Sequence, residues 1–156
     1  MKLEHVQLEN FRQFFGRQDA DFSPFDALNV TVFHGANGAG KTSLFSAINW
    51  CLYGEGVGDI GQLVSKPAIA QASEGEKITA SVTIWFIHNA TRYIAERRIS
   101  VSKSGFEVLP AGDSYSLFRV RATGDSEPVP NPIGQMNAIL PANVRPYFFF
   151  DGEKMD

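Results

Sequence analysis

Cysteine, histidine and long apolar runs are scarce in this chain of 156 residues, and each scarcity excludes a class of protein. The single cysteine, Cys51, cannot form an internal disulfide. The three histidines, His5, His34 and His88, are too scattered for a metal site built on imidazole ligands. No apolar run reaches the length of a membrane-spanning helix, and the first residues do not begin a signal peptide. We therefore expect a cytoplasmic protein with no membrane partner.

An excess of positive charge is also missing. The net charge is −3 and the pI is about 5.6, so the overall balance gives no support for nucleic-acid binding. Residues 91–122 differ, because six basic side chains there outnumber three acidic ones and give a local net charge of +3: Arg92, Arg97, Arg98, Lys103, Arg119 and Arg121 against Glu96, Glu107 and Asp113. A basic sheet face could contact DNA phosphates, and a solvated face of mixed charge explains the same pattern equally well.

A glycine-rich loop occupies residues 35–43, which read Gly-Ala-Asn-Gly-Ala-Gly-Lys-Thr-Ser. Residues 35–42 satisfy the Walker A pattern G-x-x-x-x-G-K-[ST]. Glycines let several backbone amides converge on a polyphosphate, and the positive end of the following helix points at the same anion. The predicted binding residues are Asn37, Gly38, Ala39, Gly40, Lys41, Thr42 and Ser43. A glycine-rich turn that only caps a helix is the alternative.

Three side chains of this loop have distinct predicted roles. Lys41 neutralises the β and γ phosphates and is a candidate catalytic residue. Thr42 holds Mg²⁺ through its hydroxyl, and Ser43 adds a phosphate contact. The sequence therefore predicts a nucleotide site with Mg²⁺.

The residues on either side of the loop fit a strand and a helix. Residues 28–33 are largely apolar and β-branched, which predicts a buried strand that leads into the loop. After the loop, apolar residues recur at helical spacing, and Gly54 stands where a helix should end. Cys51 falls on the apolar side of this helix, so we expect a packed core thiol. A strand, loop and helix of this kind form the nucleus of a P-loop NTPase.

The rest of the chain predicts an antiparallel β layer, with a β-rich region over residues 75–122. Apolar residues alternate over 78–86 and 93–101, which predicts a β-hairpin. Two more strands are predicted at 106–109 and 115–122, separated by turn residues at 110–113, and an edge strand at 3–11. We expect a mobile excursion at 54–72, a surface loop at 123–132, and a short helix at 133–140 that Pro141 ends.

The order of these elements narrows the class of P-loop protein. Most P-loop folds continue after the first helix with a parallel strand, whereas a long antiparallel stretch follows here. The guanine-reading motif Asn-Lys-x-Asp is also missing from the sequence. Both observations favour the ATP-binding-cassette class over small GTPases and kinases.

Four segments resemble a known family. Glu-Asn-Phe-Arg at 9–12, the loop at 35–44 and Ala-Ile-Asn-Trp-Cys-Leu-Tyr-Gly at 47–54 resemble the heads of the SMC/RecF/RecN class of chromosome and repair ATPases. Tyr-Phe-Phe-Phe-Asp-Gly-Glu-Lys-Met at 147–155 is similar to the DndD family, the SMC-like ATPases of bacterial DNA phosphorothioation systems. The resemblance implies an α/β P-loop NTPase fold of ABC type, with residues 1–156 as the N-terminal lobe of the head.

The resemblance also implies roles for two residues outside the loop. Arg12 is a candidate contact to the phosphates of ATP. Asp151 takes the place of the Q-loop glutamine, which makes it a candidate Mg²⁺ ligand and catalytic residue. An aspartate is a shorter, charged ligand and cannot position water as an amide does. A plain turn at residues 151–152 and a Walker B aspartate remain alternatives for this position.

The family's signature loop, Walker B carboxylates and coiled coil are not found in these residues. We therefore expect a part of a longer protein that binds ATP weakly alone and hydrolyses it negligibly. The implied partners are the C-terminal lobe of the same protein, a second head that dimerises on ATP binding, DNA, and other phosphorothioation-system proteins. The alternatives are a general SMC-like DNA repair or anti-phage ATPase, and a nucleotide-gated assembly module that never hydrolyses ATP.

Overall fold

One antiparallel sheet with helices on one face makes up the fold. A computed structural model of the chain describes residues 1–23, 30–55 and 58–145. Its strands are β1 (Lys2–Phe11), β2 (Phe14–Asp21), β3 (Lys77–His88), β4 (Thr91–Ser104), β5 (Glu107–Val120) and β6 (Ser126–Pro128). Its helices are α1 (Lys41–Tyr53), α2 (Ile60–Leu63), α3 (Lys66–Gln71) and α4 (Pro132–Ile139). The strand order is β2-β1-β3-β4-β5-β6, and all neighbours are antiparallel.

The buried face of the sheet packs against α1. Cross-strand pairs such as Leu8 with Val82 and Phe86 with Tyr93 place their apolar side chains on this face. The buried side of α1 consists of Ser43, Ala47, Ile48, Trp50, Cys51 and Leu52. Each large apolar side chain buried in this way contributes about 1.5–3 kcal/mol. None of the helices in the described residues is long and apolar enough to cross a membrane.

Several sequence predictions are confirmed. β3 and β4 form the expected hairpin, with a turn at Asn89 and Ala90, both at positive φ. Helix α1 ends at the expected place, because Gly54 adopts φ 76° and its N–H donates to Trp50 O at 2.8 Å. Helix α4 is also present, and the Asn131 side chain caps it.

Cys51 is the packed core thiol that the helical pattern predicts. It is completely buried, and its Sγ donates to Val82 O at 3.2 Å. Burial raises the pKa of this thiol to about 12. The group is therefore protonated at neutral pH and is a structural part of the core.

The predicted edge strand at 3–11 is wrong in its position. β1 lies between β2 and β3, and β2 is the edge strand. β2 carries mainly polar or exposed residues, because only one side of an edge strand meets the sheet and its outer side faces solvent. This composition lacks the apolar alternation by which a strand is recognised in a sequence.

The predicted turn at 110–113 is also wrong. These residues belong to the continuous strand β5, and the register with β4 shifts between Ser100 and Val101. The extra residue, Ala111, forms a bulge next to Gly112, whose φ is 140°. Pro110 is tolerated because β6 pairs only with the other end of β5 and leaves this stretch as an edge.

The predicted mobile excursion at 54–72 is anchored in its described residues 58–72, and residues 56 and 57 lie outside the described part. Residues 63–65, which are the end of α2 and the link to α3, are buried. Arg12 N donates to Leu63 O and Ser65 N donates to Asn10 O, both at 2.8 Å. These backbone bonds attach the α2–α3 segment to the end of β1.

The predicted strand at 28–33 is not formed in its described part, residues 30–33. Val30 and Val32 are 77% and 66% exposed, and no described strand pairs with them. Residues 28 and 29 lie outside the described part. A buried parallel strand needs hydrogen-bonded neighbours, and the antiparallel sheet provides none here. Apolar composition alone therefore did not specify a strand.

Candidate functional site

The glycine-rich loop turns at Gly38 and enters helix α1 at Gly40. Their φ values are 82° and 102°, a left-handed backbone that favours glycine. Ala39 N donates to Ala36 O at 3.1 Å and closes the turn, and Leu44 N donates to Gly40 O at 2.8 Å. The loop therefore wraps around the first turn of the helix.

The first turn of α1 leaves its amides available to a ligand. No side chain of the described residues caps this end, and the first turn contains no acidic residue. The N–H groups at the start of an α-helix have no partners within the helix, and the helix dipole adds partial positive charge there. Lys41 and Thr42 are exposed, whereas Ser43 is largely buried. The loop and helix end together suit an anion.

Lys41 reaches from the helix back across the loop. Its Nζ donates to Gly35 O at 2.6 Å and to Ala36 O at 3.0 Å. In the described part of the chain its ammonium forms no ion pair with a carboxylate. The positive charge is therefore held at the loop, and no acidic side chain among the described residues neutralises it.

The turn between β1 and β2 lies directly against this loop. A Cβ atom at Gly40 would stand 2.7 Å from Gln13 Nε2 and 2.8 Å from Phe14 Cζ. Such distances are too short for real contacts, so a side chain at this position would displace the ends of the Gln13 and Phe14 side chains, and φ 102° itself favours glycine. Arg12 in the same turn has φ 51°, and its backbone N–H is bonded to Leu63 O at 2.8 Å.

A cavity of about 660 Å³ opens beside the loop. Its volume lies within the range of small-molecule sites, about 300–1,000 Å³. Arg12 and Lys66 give its lining positive charge, and no carboxylate of the described residues lines it. The lining residues come from the β1–β2 turn, the start of α1 and the α2–α3 segment: Arg12, Gln13, Ser43, Gly61, Gln62, Val64, Lys66 and Pro67.

The structure places two of the residues that the sequence singles out in one cavity, Arg12 and Ser43. Residues 37–42 lead into Ser43 along the chain and do not line this cavity. Gln13 is a residue that the sequence did not reveal, although it directly follows Arg12. Asp151 and the segment 147–155 lie outside the described residues. Within the described residues no group of His, Cys, Asp and Glu side chains could hold a metal ion.

The six basic residues of 91–122 do not form one basic face. Arg97 lies on the helix-packed face, and all six contact oxygen atoms of the chain. Arg92 binds Glu4 with two bonds of 2.7 and 2.8 Å, and Lys103 Nζ donates to Ala72 O at 2.6 Å. The remaining ion pairs are Arg98 with Glu96 and Arg119 and Arg121 with Glu127. This pairing favours the mixed-charge interpretation, and DNA contact stays a prediction.

Arg97 holds the far end of the P-loop helix. Its Nε donates to Cys51 O at 3.2 Å in the last turn of α1, and its guanidinium lies 4.4 Å from the centre of the Tyr115 ring. Carbonyls in this turn lack partners within the helix, so a cationic donor stabilises them. Arg98, the next residue, points to the opposite face and pairs with Glu96.

We expect Arg97→Ala to lower the free energy of unfolding by about 2 kcal/mol, because a charge-assisted hydrogen bond and a cation–π contact are lost. Arg98→Ala is the matched control and should cost less than about 1 kcal/mol, since its ion pair is exposed. Urea denaturation followed by circular dichroism measures both. Equal losses in the two variants would contradict the role of Arg97.

The family of the chain follows from comparison with known proteins. A family model described as "AAA domain" matches residues 5–144, which include the loop, the cavity and all of the described sheet except residues 2–4 of β1. The chain belongs to the AAA domain family. It is similar in sequence to RecF and SbcC proteins.

Two relatives of this AAA domain illustrate the likeness. The C subunit of nuclease SbcCD from Staphylococcus aureus (strain JH9) is 27% identical over 127 residues, which cover 76% of this chain and 12% of that protein. DNA replication and repair protein RecF of Chlorobium phaeobacteroides (strain BS1) is 37% identical over 57 residues, or 36% of this chain and 14% of that protein. The AAA domain thus spans only a small part of the length of these relatives.

A solved structure supports the fold of this AAA domain. It is described as "Structural biochemistry of ATP-driven dimerization and DNA stimulated activation of SMC ATPases" and matches 99% of this chain and 95% of its own, with a TM-score of 0.56 and 17% identity. The predicted fold class is confirmed: an α/β P-loop NTPase fold with an antiparallel β sheet, as in an SMC ATPase head.

Proposed function

We propose that this chain is the ATP-binding, N-terminal lobe of an SMC-like ATPase head. The observation that carries the proposal is the loop at 35–43 around the uncapped start of α1, with the Lys41 ammonium held across it. A polyphosphate requires amide donors, a helix N-terminus and a cation. The loop offers all three, and its cation has no carboxylate partner in the described residues. ATPases of this family use ATP with Mg²⁺.

The residues fit a nucleotide in distinct ways. The amides of residues 37–43 and the Lys41 ammonium bind the phosphates, and the Thr42 hydroxyl is the proposed Mg²⁺ ligand. Arg12 faces the phosphates from the neighbouring turn. The cavity of about 660 Å³ beside Ser43 is large enough for the nucleoside. Asp151 is the proposed second Mg²⁺ ligand and a catalytic residue, on the resemblance of its segment alone.

The activity of the whole protein is also a proposal. One relative is named as part of a nuclease, and another as a DNA replication and repair protein. The similar solved structure is described in terms of ATP-driven dimerisation. We infer a cytoplasmic head that pairs with its C-terminal lobe and with a second head on ATP binding, engages DNA, and resets on hydrolysis.

The finer assignment is to DNA phosphorothioation-linked modification and restriction, together with the other proteins of such a system. The similarity of residues 147–155 to the DndD family supports it. A general SMC-like DNA repair or anti-phage ATPase is the alternative, and neighbouring genes for sulfur transfer to DNA would distinguish the two.

A second candidate is a nucleotide-gated assembly module that does not hydrolyse ATP. One observation favours it: among the described residues, no carboxylate lines the cavity. Turnover distinguishes the two candidates: the full-length protein hydrolyses ATP if it is an ATPase and only binds it if it is a module.

The test of the proposed site is calorimetric titration of the chain with Mg-ATP, Mg-ADP and adenosine. We expect Mg-ATP to bind more tightly than Mg-ADP, and adenosine to show no binding, because the site recognises phosphates. Negligible turnover by the chain alone is expected. If about 1 mM Mg-ATP produced no binding, which corresponds to a free energy weaker than about −4 kcal/mol, the proposal would be wrong.

A further inference from the structure

Gln13 occupies a turn whose backbone is fixed on both sides. The preceding residue, Arg12, donates its N–H to Leu63 O at 2.8 Å. Two residues further back, Asn10 Oδ1 accepts from Gly16 N at 3.0 Å, which ties the start of β2 to the end of β1. The position of Gln13 next to the loop therefore follows from the fold and does not depend on its own side chain.

The carboxamide of Gln13 stands against the loop and has no partner within the described structure. Its Nε2 lies 2.7 Å from the place that a Cβ of Gly40 would take. The residue is exposed and lines the cavity. The two other glutamines of this hairpin are bonded: Gln7 Nε2 donates to Asp19 Oδ1 at 3.0 Å and Gln18 Nε2 to Phe15 O at 3.3 Å.

The groups around the Gln13 carboxamide indicate what it would bind. A glutamine carboxamide offers two N–H donors and one carbonyl acceptor. Gly40 is the residue at which the loop passes into α1, so the amide stands beside the helix end that attracts anions. Its donors therefore lie beside the helix end where phosphate oxygens would bind. Unlike Lys41 and Arg12, Gln13 would contribute a directional hydrogen bond without a charge.

We infer that Gln13 is a further ligand-binding residue of the site, and that its carboxamide donates a hydrogen bond to a phosphate oxygen of the bound nucleotide. The inference rests on the proposed function of the loop. It assigns Gln13 a role in orienting the phosphate chain, because a hydrogen bond has a preferred direction, whereas an ammonium acts as a mobile point charge.

The test compares Gln13→Ala and Gln13→Glu with the wild-type chain in calorimetric titrations with Mg-ATP. Gln13→Glu keeps the shape of the side chain but removes the donors and faces the phosphates with a negative charge. We expect affinity to fall about tenfold in Gln13→Ala and further in Gln13→Glu. The control is Gln18→Ala on the same hairpin, which should bind as the wild type does, and melting temperatures of all variants should stay within about 4 °C.

The outcomes separate this inference from the proposed function. If the wild-type chain binds Mg-ATP, Lys41→Ala loses binding and both Gln13 variants bind like the wild type, the phosphate site stands and Gln13 only packs over Gly40. If the wild-type chain itself binds no Mg-ATP, the proposed function and this inference are both wrong.

Discussion

Lys41→Ala is expected to lower the affinity of the chain for Mg-ATP by about a hundredfold while the chain stays folded. The Lys41 ammonium is held over the loop by Gly35 O and Ala36 O, at 2.6 and 3.0 Å. Alanine removes the one loop cation, so the phosphates keep only the backbone amides and the helix end. A loss of about 2–3 kcal/mol is typical for a charge-assisted contact to a ligand.

The fold does not depend on this side chain, because Lys41 is exposed and its bonds go to loop carbonyls. Calorimetric titration measures the affinity, and thermal melting checks the fold. Lys77→Ala is the matched control, since it removes one positive charge from the start of β3. An affinity for Mg-ATP that stayed within threefold of the wild type in Lys41→Ala would show that the phosphates do not bind at the loop.

Gly40→Ala should lower the free energy of unfolding by about 2–5 kcal/mol and abolish Mg-ATP binding. Two costs add. Alanine at φ 102° is strained by about 1–2 kcal/mol, and its Cβ would stand 2.8 Å from Phe14 Cζ, an overpacking that costs about 1–3 kcal/mol. Since Gly40 begins the helix that packs on the sheet, the displacement moves both the loop and the core.

The control for this variant is Gly124→Ala. Gly124 has φ 91° and open space around its Cβ position, so its substitution introduces only the strain. The difference between the two variants in urea denaturation isolates the clash with the β1–β2 turn. Gln13→Ala in the Gly40→Ala background should recover part of the stability, because it removes one of the two clashing side chains. Equal destabilisation of Gly40→Ala and Gly124→Ala would show that the turn does not crowd the loop.

Local and strongly periodic signals were sufficient for part of the fold. The helix α1 and the β3–β4 hairpin are visible in the sequence because their apolar positions repeat at the helical and strand periods. Strand β2 is not visible in the sequence, since an edge strand with polar residues has no such repeat. The turn predicted at residues 110–113 was wrong because Pro and Gly occur both in turns and in bulged edge strands.

The candidate site could also be predicted only in part from the sequence. The loop is predictable because its glycines, Lys41 and Thr42 stand at fixed spacing around one chemistry. The anchoring of Leu63 and Ser65 to β1 uses backbone groups, so no side-chain pattern announces it. Gln13 is a single polar residue in a turn, and only the three-dimensional structure shows that its amide faces Gly40.

The cavity is assembled from three parts of the chain that are far apart in sequence: residues 12–13, Ser43 and residues 61–67. Each contributes a wall, and backbone bonds join only the first and the last. A ligand seated among them would act as a non-covalent cross-link between the hairpin, the P-loop helix and the α2–α3 segment. Such a ligand binds the folded chain and not the unfolded one, so it would stabilise the whole fold in proportion to the logarithm of its concentration.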